Sequence, residues 1–245
     1  MKQVIKWISI VLVFLLPLGA LADTTPSYEY PVEEIDAYFA DSLFVGDSIT
    51  RQLHSYVIKE RKEGSRPLGD AQFVTAHSYM IYNASRRNLG SNEINLRYKG
   101  KEYTFEKLLL QIKPHKVFLL LGLNDGARKN PEKQINYFAR TIDIFQEALP
   151  DATLVIQSLS PVTHRQKASS IQQPNIDAFN EVLQKLCEEK GVVFLDMATP
   201  LKGPDGLLPT SLSSDYLVHL NEDGLKIWIH TLRLFAQEQL QAGNP

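Results

Sequence analysis

Apolar residues along this chain gather into short unbroken runs, separated by stretches where they recur every third or fourth position. The runs at 43–45, 71–76, 117–121, 153–157 and 192–195 read as strands. The run at 117–121, Val-Phe-Leu-Leu-Leu, has no polar position, as expected of a strand buried on both faces. Between these runs, 49–62, 103–112, 135–149, 176–189 and 222–240 carry helical spacing; Phe105, Leu108, Leu109 and Ile112 share one side of the second. Pro150 stops the third helix, and Asn221 supplies a cap for the last. A short lead-in helix over 32–39 completes the set. Buried strands alternating with amphipathic helices predict an α/β fold, a parallel sheet between two helical layers. Ligands of such sheets bind beyond the carboxyl ends of the strands. Gly46-Asp47-Ser48, Ala76-His77-Ser78, Gly122-Leu123-Asn124-Asp125 and Ser158-Leu159-Ser160 all fall at such ends, which predicts one convergent site.

The amino terminus follows a different pattern. Lys2 and Lys6 precede an apolar run over 7–21 that closes on Ala20-Leu21-Ala22, the layout of a secretory signal peptide over 1–22. The run is short for a membrane span and contains Pro17 and Gly19; an uncleaved anchor is the alternative. Residues 23–31 are polar, with two prolines, and read as a tether. Residues 32–245 then form a single domain, a length that supports an ample core. Cys187 is the only cysteine, so the chain has neither a disulfide framework nor a leader cysteine for lipid attachment. A net charge of −2 with interspersed signs argues against a nucleic-acid partner and against stable membrane association once the leader is removed. No internal repeat suggests a solenoid.

Candidate chemistry lies at the strand ends. Ser48 falls between a strand's end and a helix's start, beside unpaired N–H groups and the positive end of the helix dipole. Those conditions suit an attacking hydroxyl whose product is an oxyanion, although Gly-Asp-Ser also suits a plain turn and helix cap. Asn124, after the most apolar strand, can aim a side-chain N–H at that oxyanion, or simply shape a turn. His219, before the closing helix, can take the serine proton and return it to the leaving group, and a nearby carboxylate would orient the ring.

Taken together, Gly46-Asp47-Ser48, Gly122-Leu123-Asn124-Asp125 and His219-Leu220-Asn221 resemble the SGNH/GDSL hydrolase superfamily over nearly all of the chain after the leader. The resemblance implies a flavodoxin-like three-layer α/β/α sandwich and ester hydrolysis by a serine nucleophile, without cofactor or metal. By position it makes Ser48 the nucleophile and His219 the general base. The oxyanion would rest against the Ser48 N–H, the Asn124 side chain and a donor from the second block. Two departures stand out. The family's second-block glycine is replaced within Thr75-Ala76-His77-Ser78-Tyr79, where Ser78 is the candidate donor. The family's acid, three residues before the histidine, is here Tyr216, with Asp215 one place further back. Either Asp215 still reaches His219, or the site is a Ser–His dyad oriented by a backbone carbonyl; we take Asp215.

His54, His115 and His230 read as structural or solvated, whereas His77 and His164 fall near the site's rim, where His164-Arg165 either contact substrate or, as we take them, are solvated loop residues. No HExxH, paired-cysteine or dense carboxylate cluster supports a metal, Gly-x-Ser-x-Gly is absent, and no Gly-rich nucleotide fingerprint follows a strand. The expectation is an exported serine esterase acting on short acyl groups, such as acetyl, carried by small molecules or by carbohydrate and cell-wall polymers. The alternative is a secreted carbohydrate- or wall-binding protein that keeps the fold without the catalysis.

Overall fold

Chain order is α1 (Val32–Ala37), β1 (Ser42–Gly46), α2 (Ser48–Lys62), β2 (Gln72–Thr75), α3 (Ile81–Ala84), β3 (Leu96–Tyr98), β4 (Lys101–Tyr103), α4 (Phe105–Ile112), β5 (Lys116–Leu120), α5 (Glu132–Ala148), β6 (Thr153–Gln157), α6 (Gln173–Lys190), β7 (Val193–Leu195) and α7 (Glu222–Gln241). The structure, a computed structural model, describes residues 28–90, 93–125, 131–167 and 171–243. The expected leader and most of the tether lie outside these residues. Among the described residues no helix is long and apolar enough to cross a membrane.

Five strands form one parallel sheet in the order β2-β1-β5-β6-β7. The chain moves outward from β1 to β2, then returns to the other side of β1 to lay down β5. That reversal opens a crevice above β1 and β5, where open α/β sheets bind ligands. Both strands are buried along their whole length. Phe44 pairs in register with Phe73 on one side and Phe118 on the other, with ring centroids 4.9 and 4.6 Å apart. Lys116 belongs to buried β5 because its stem lies in the core while its ammonium sits 4.4 Å from the Tyr38 ring centroid.

Helices α1, α2 and α7 pack together as one layer, and α4, α5 and α6 as the other. Arg233 on α7 forks onto Asp36 of α1 at 2.9 and 2.7 Å, and the Leu68 N–H donates to the same carboxylate at 3.0 Å. The buried Trp228 indole N–H is satisfied by Gln157 at the end of β6, 2.8 Å away. α7 is thereby fixed at both ends of the sheet.

Besides the short helix α3 and small shifts at the ends of α1 and α5, local differences separate this architecture from the sequence reading. β3 and β4 form an antiparallel hairpin of three-residue strands, too short to show a periodic pattern. Its turn uses left-handed backbone at Lys99 and Gly100, with φ of +48° and +80°. Tyr103 belongs to that hairpin, so α4 starts at Phe105 under a Thr104 cap. α6 begins at Gln173 because Pro174 is accommodated in a helix's first turn.

Candidate active site

The tight turn from β1 into α2 is possible because residue 46 is glycine. A Cβ there would lie 2.0 Å from Thr50 Oγ1 and 2.7 Å from the Leu120 carbonyl oxygen. Asp47 then caps α2, its Oδ1 accepting the Ile49 N–H at 2.9 Å, and Ser48 becomes the first helical residue. Its hydroxyl oxygen lies 2.9 Å from His219 Nε2, across 171 positions of chain. His219 Nδ1 lies 2.6 Å from Asp215 Oδ2. Ser48, His219 and Asp215 thus form one hydrogen-bonded line, with the last two side chains 31% and 32% exposed.

Asp215 reaches the ring because the loop bulges. Tyr216 takes a left-handed backbone, φ +61°, and turns outward. Asp215 Oδ1 then accepts the N–H groups of Leu217, Val218 and His219 at 2.8, 3.0 and 3.1 Å. Partial burial on its own would raise this carboxyl's pKa. The hydrogen bonds from the His219 ring and the three N–H groups outweigh that and hold it down at about 2. An ionised carboxylate can only accept, so Nδ1 must carry the ring proton and Nε2 faces Ser48 with its lone pair.

The loop is held from outside as well. Gln52, one turn after Ser48, accepts the Leu220 N–H and donates to the Leu220 carbonyl, both at 3.1 Å, and reaches Ser214 Oγ. On the far side Thr163 donates its hydroxyl to the Tyr216 carbonyl, and its N–H donates to Leu217 O at 2.9 Å.

Asn124 follows β5, across the crevice from Ser48. Gly122 sets up its turn with φ +118°, where a side chain would also press on Leu159 and Phe138. One Asn124 Nδ2 hydrogen is given to Asp47 Oδ2 at 2.6 Å, so Asp47 caps α2 and aims Asn124 at once. The next residue, Asp125, accepts the Ile81 and Tyr82 N–H groups at 2.7 and 3.1 Å, tying β5 to the segment after β2. Ser78 lies on that segment, exposed, with φ +54°. A serine there keeps the left-handed backbone that a glycine adopts freely.

Residues 44–227 match the family model described as the GDSL-like lipase/acylhydrolase family. The chain belongs to that family. Membership makes it an ester-hydrolysing enzyme, with the three-layer SGNH fold. No significant match occurs among curated proteins. Solved structures share the fold at low identity. A GDSL-like lipase from Bacteroides thetaiotaomicron is 14% identical, with a TM-score of 0.58 over 85% of this chain and 91% of its own. A carbohydrate esterase family 3 protein from Talaromyces cellulolyticus is 15% identical, with a TM-score of 0.57 over 82% and 98%. A mutant acetyl esterase solved with acetate ion is also 15% identical, with a TM-score of 0.56 over 82% and 98%.

In this acylhydrolase the five candidate residues occupy one end of the sheet. Ser48 and Asp215 both contact His219, Asn124 is bonded to Asp47 next to Ser48, and Ser78 lies on the segment that follows β2. Burial pushes the Asp47 carboxyl up to about 6, although the Ile49 N–H and the nearby His219 ring oppose that shift. Gln52 and Asp47 are the positioning residues that sequence reasoning left without a role. Only the glutamine's place one turn after Ser48 pointed to it. Of the remaining histidines, three lie away from Ser48. His54 stacks on Phe73 at 4.8 Å, His230 Nδ1 lies 2.7 Å from Tyr28 Oη, and His115 is exposed beside Asp41. His77 borders the groove at Ser48, and Arg165 covers the Tyr216 ring at 5.0 Å. Among the described residues no cluster of side chains could hold a metal ion.

Proposed function

We propose that this acylhydrolase is an exported esterase that removes short acyl groups, acetyl foremost, from carbohydrate or cell-wall polymers. Ser48 Oγ attacks the ester carbonyl carbon as its proton passes to His219 Nε2. The carbonyl oxygen becomes an oxyanion, held by the Ser48 and Ser78 N–H groups and by the Asn124 amide. Collapse breaks the bond to the alcohol oxygen, which takes the proton from His219 and leaves. Water then attacks the acyl-Ser48 carbonyl, giving its proton to His219. The second collapse returns that proton to Ser48 and frees the carboxylic acid. Asp215 stays ionised throughout and stabilises the imidazolium.

The observation that supports this reading most is the unbroken line from Asp215 through His219 to Ser48, at 2.6 and 2.9 Å. The acyl preference draws on the acetyl esterase and carbohydrate esterase among its structural relatives, and export draws on the pattern of residues 1–22. Hydrolysis of p-nitrophenyl acetate by the mature protein and by Ser48→Ala tests it. The expected loss is at least about a thousandfold. Equal rates would remove Ser48 as the nucleophile, and absence of turnover above the uncatalysed rate in both would favour the non-catalytic binder. Acetate released from acetylated polysaccharides identifies the polymer.

A further inference from the structure

The two halves of an ester occupy different sides of a serine esterase's site. The leaving oxygen must take its proton from His219 Nε2, so the alcohol lies on the His219 side of Ser48. A groove of about 640 Å³ begins there, bordered by Ser48 and His219, and neither Asn124 nor Ser78 lines it. One wall is a stripe of α2: Ser48, Arg51, Ser55 and Lys59 recur at helical spacing on one side. Ser48 to Lys59 spans about 16 Å along the helix axis at the usual rise. The opposite wall is the Ser214 loop and the start of α7. A two-carbon acyl group has no use for such a length, whereas a stretch of polymer does.

The charges in the groove narrow the choice. Glu222 is neutralised by Lys59, 2.5 Å away. Arg51 stands one turn from Ser48, exposed, and its side chain makes no hydrogen bond or ion pair among the described residues. In a chain of net charge −2, the uncompensated charge of this groove is therefore a guanidinium. We propose that the groove between α2 and the start of α7 binds the alcohol half of the ester, that this alcohol is an acidic carbohydrate, and that Arg51 grips a carboxylate of it. A guanidinium fork matches a carboxylate with two parallel hydrogen bonds. The hydroxyls of Ser55 and Ser214 lie along the rest of the path, with Tyr56 and Leu225 as apolar wall against which a sugar ring can pack. The proposal rests on the esterase reading above.

The experiment compares kcat/KM on an O-acetylated uronic-acid oligomer with that on the O-acetylated neutral hexose oligomer of equal length. Wild type, Arg51→Gln and Arg51→Lys are assayed at low and high salt, with Ser48→Ala and p-nitrophenyl acetate alongside. Wild type is expected to favour the acidic oligomer by about tenfold or more, the scale of one charge-assisted hydrogen bond. Arg51→Gln should erase most of that ratio, Arg51→Lys should retain part of it, and salt should shrink it. A ratio near one in wild type, or one unchanged in Arg51→Gln, overturns the proposal while serine-dependent cleavage of p-nitrophenyl acetate leaves the esterase standing. Cleavage of p-nitrophenyl acetate that survives in Ser48→Ala removes both. Circular dichroism of the two Arg51 variants checks their folding.

Discussion

Asp47 and Asp215 are the same residue type set into opposite halves of one site. Asp215 sits in a loop, a third exposed, and collects N–H donors from its own neighbours in sequence. Asp47 is 1% exposed at the floor of the crevice, with one donor from its helix and one from a residue 77 positions away. The first stays ionised, with its pKa held at about 2, while burial pushes the second up to about 6. The contrast shows how one side chain serves two ends. Surrounded by donors near solvent, a carboxylate becomes a permanent charge for a histidine. Buried with few donors, it becomes a clamp whose own ionisation is nearly balanced at mildly acidic pH.

The sharpest way to break the comparison is Asp215→Asn. An amide in that place can donate to Nδ1, which leaves Nε2 protonated toward Ser48 and unable to take a proton. We expect kcat/KM to fall by about three to four orders of magnitude. A loss smaller than about threefold would mean that Asp215 does not orient the ring, and a backbone carbonyl would replace it in the mechanism. Unchanged circular dichroism separates this loss from misfolding.

Asp47→Asn acts on the other half and more gently. One of its two side-chain atoms becomes a donor, so the Ile49 N–H and the Asn124 amide can no longer both be accepted. With Asn124 in its proposed role as an oxyanion donor, misdirecting it should lower kcat by about ten- to a hundredfold, with KM little changed. The stability profile carries a sign as well. Between about pH 4 and 6 native Asp47 keeps a proton that the unfolded chain has lost, so its contribution to stability falls as pH rises through that window. Asp215 runs the other way, its contribution being lost as pH drops from about 4 toward 2. Urea denaturation across these ranges should show the first slope flattened in Asp47→Asn and the second in Asp215→Asn. An unaltered pH 4–6 slope in Asp47→Asn would mean that Asp47 is ionised in the folded protein well below its expected range.

The same contrast decides what could be read from the sequence. Apolar runs such as 117–121 announced the sheet, because burial on both faces leaves a pattern in consecutive residues. Ser48 and Asn124 were candidates by type and by their position at strand ends, and His219 by its place in the loop before the closing helix. The sequence left two ways to orient His219, Asp215 or a backbone carbonyl; the Asp215 contact that we took depends on the left-handed backbone at Tyr216, which no spacing rule reveals. The bond from Asn124 to Asp47 depends on the strand order, which brings β5 beside β1. Gln52 gains its role only when α7 packs on α2. The hairpin of β3 and β4 was invisible because three residues do not make a period. What the chain hid was the bonding that aims each side chain, and what it displayed was local burial and the residue types available for chemistry.

Ser78 tests the crevice half at its edge, with the smallest expected effect. A non-glycine residue at φ +54° pays a steric penalty that glycine avoids, while glycine adds disorder to the unfolded chain. The steric term is the larger, so Ser78→Gly should raise stability by about 0.5–1 kcal/mol in urea denaturation. If the backbone N–H is the donor, kcat/KM should change by less than about threefold, because the substitution keeps that group and its left-handed backbone. A hundredfold loss would instead assign the work to the Ser78 hydroxyl, and the exposed side chain rather than the main chain would face the oxyanion.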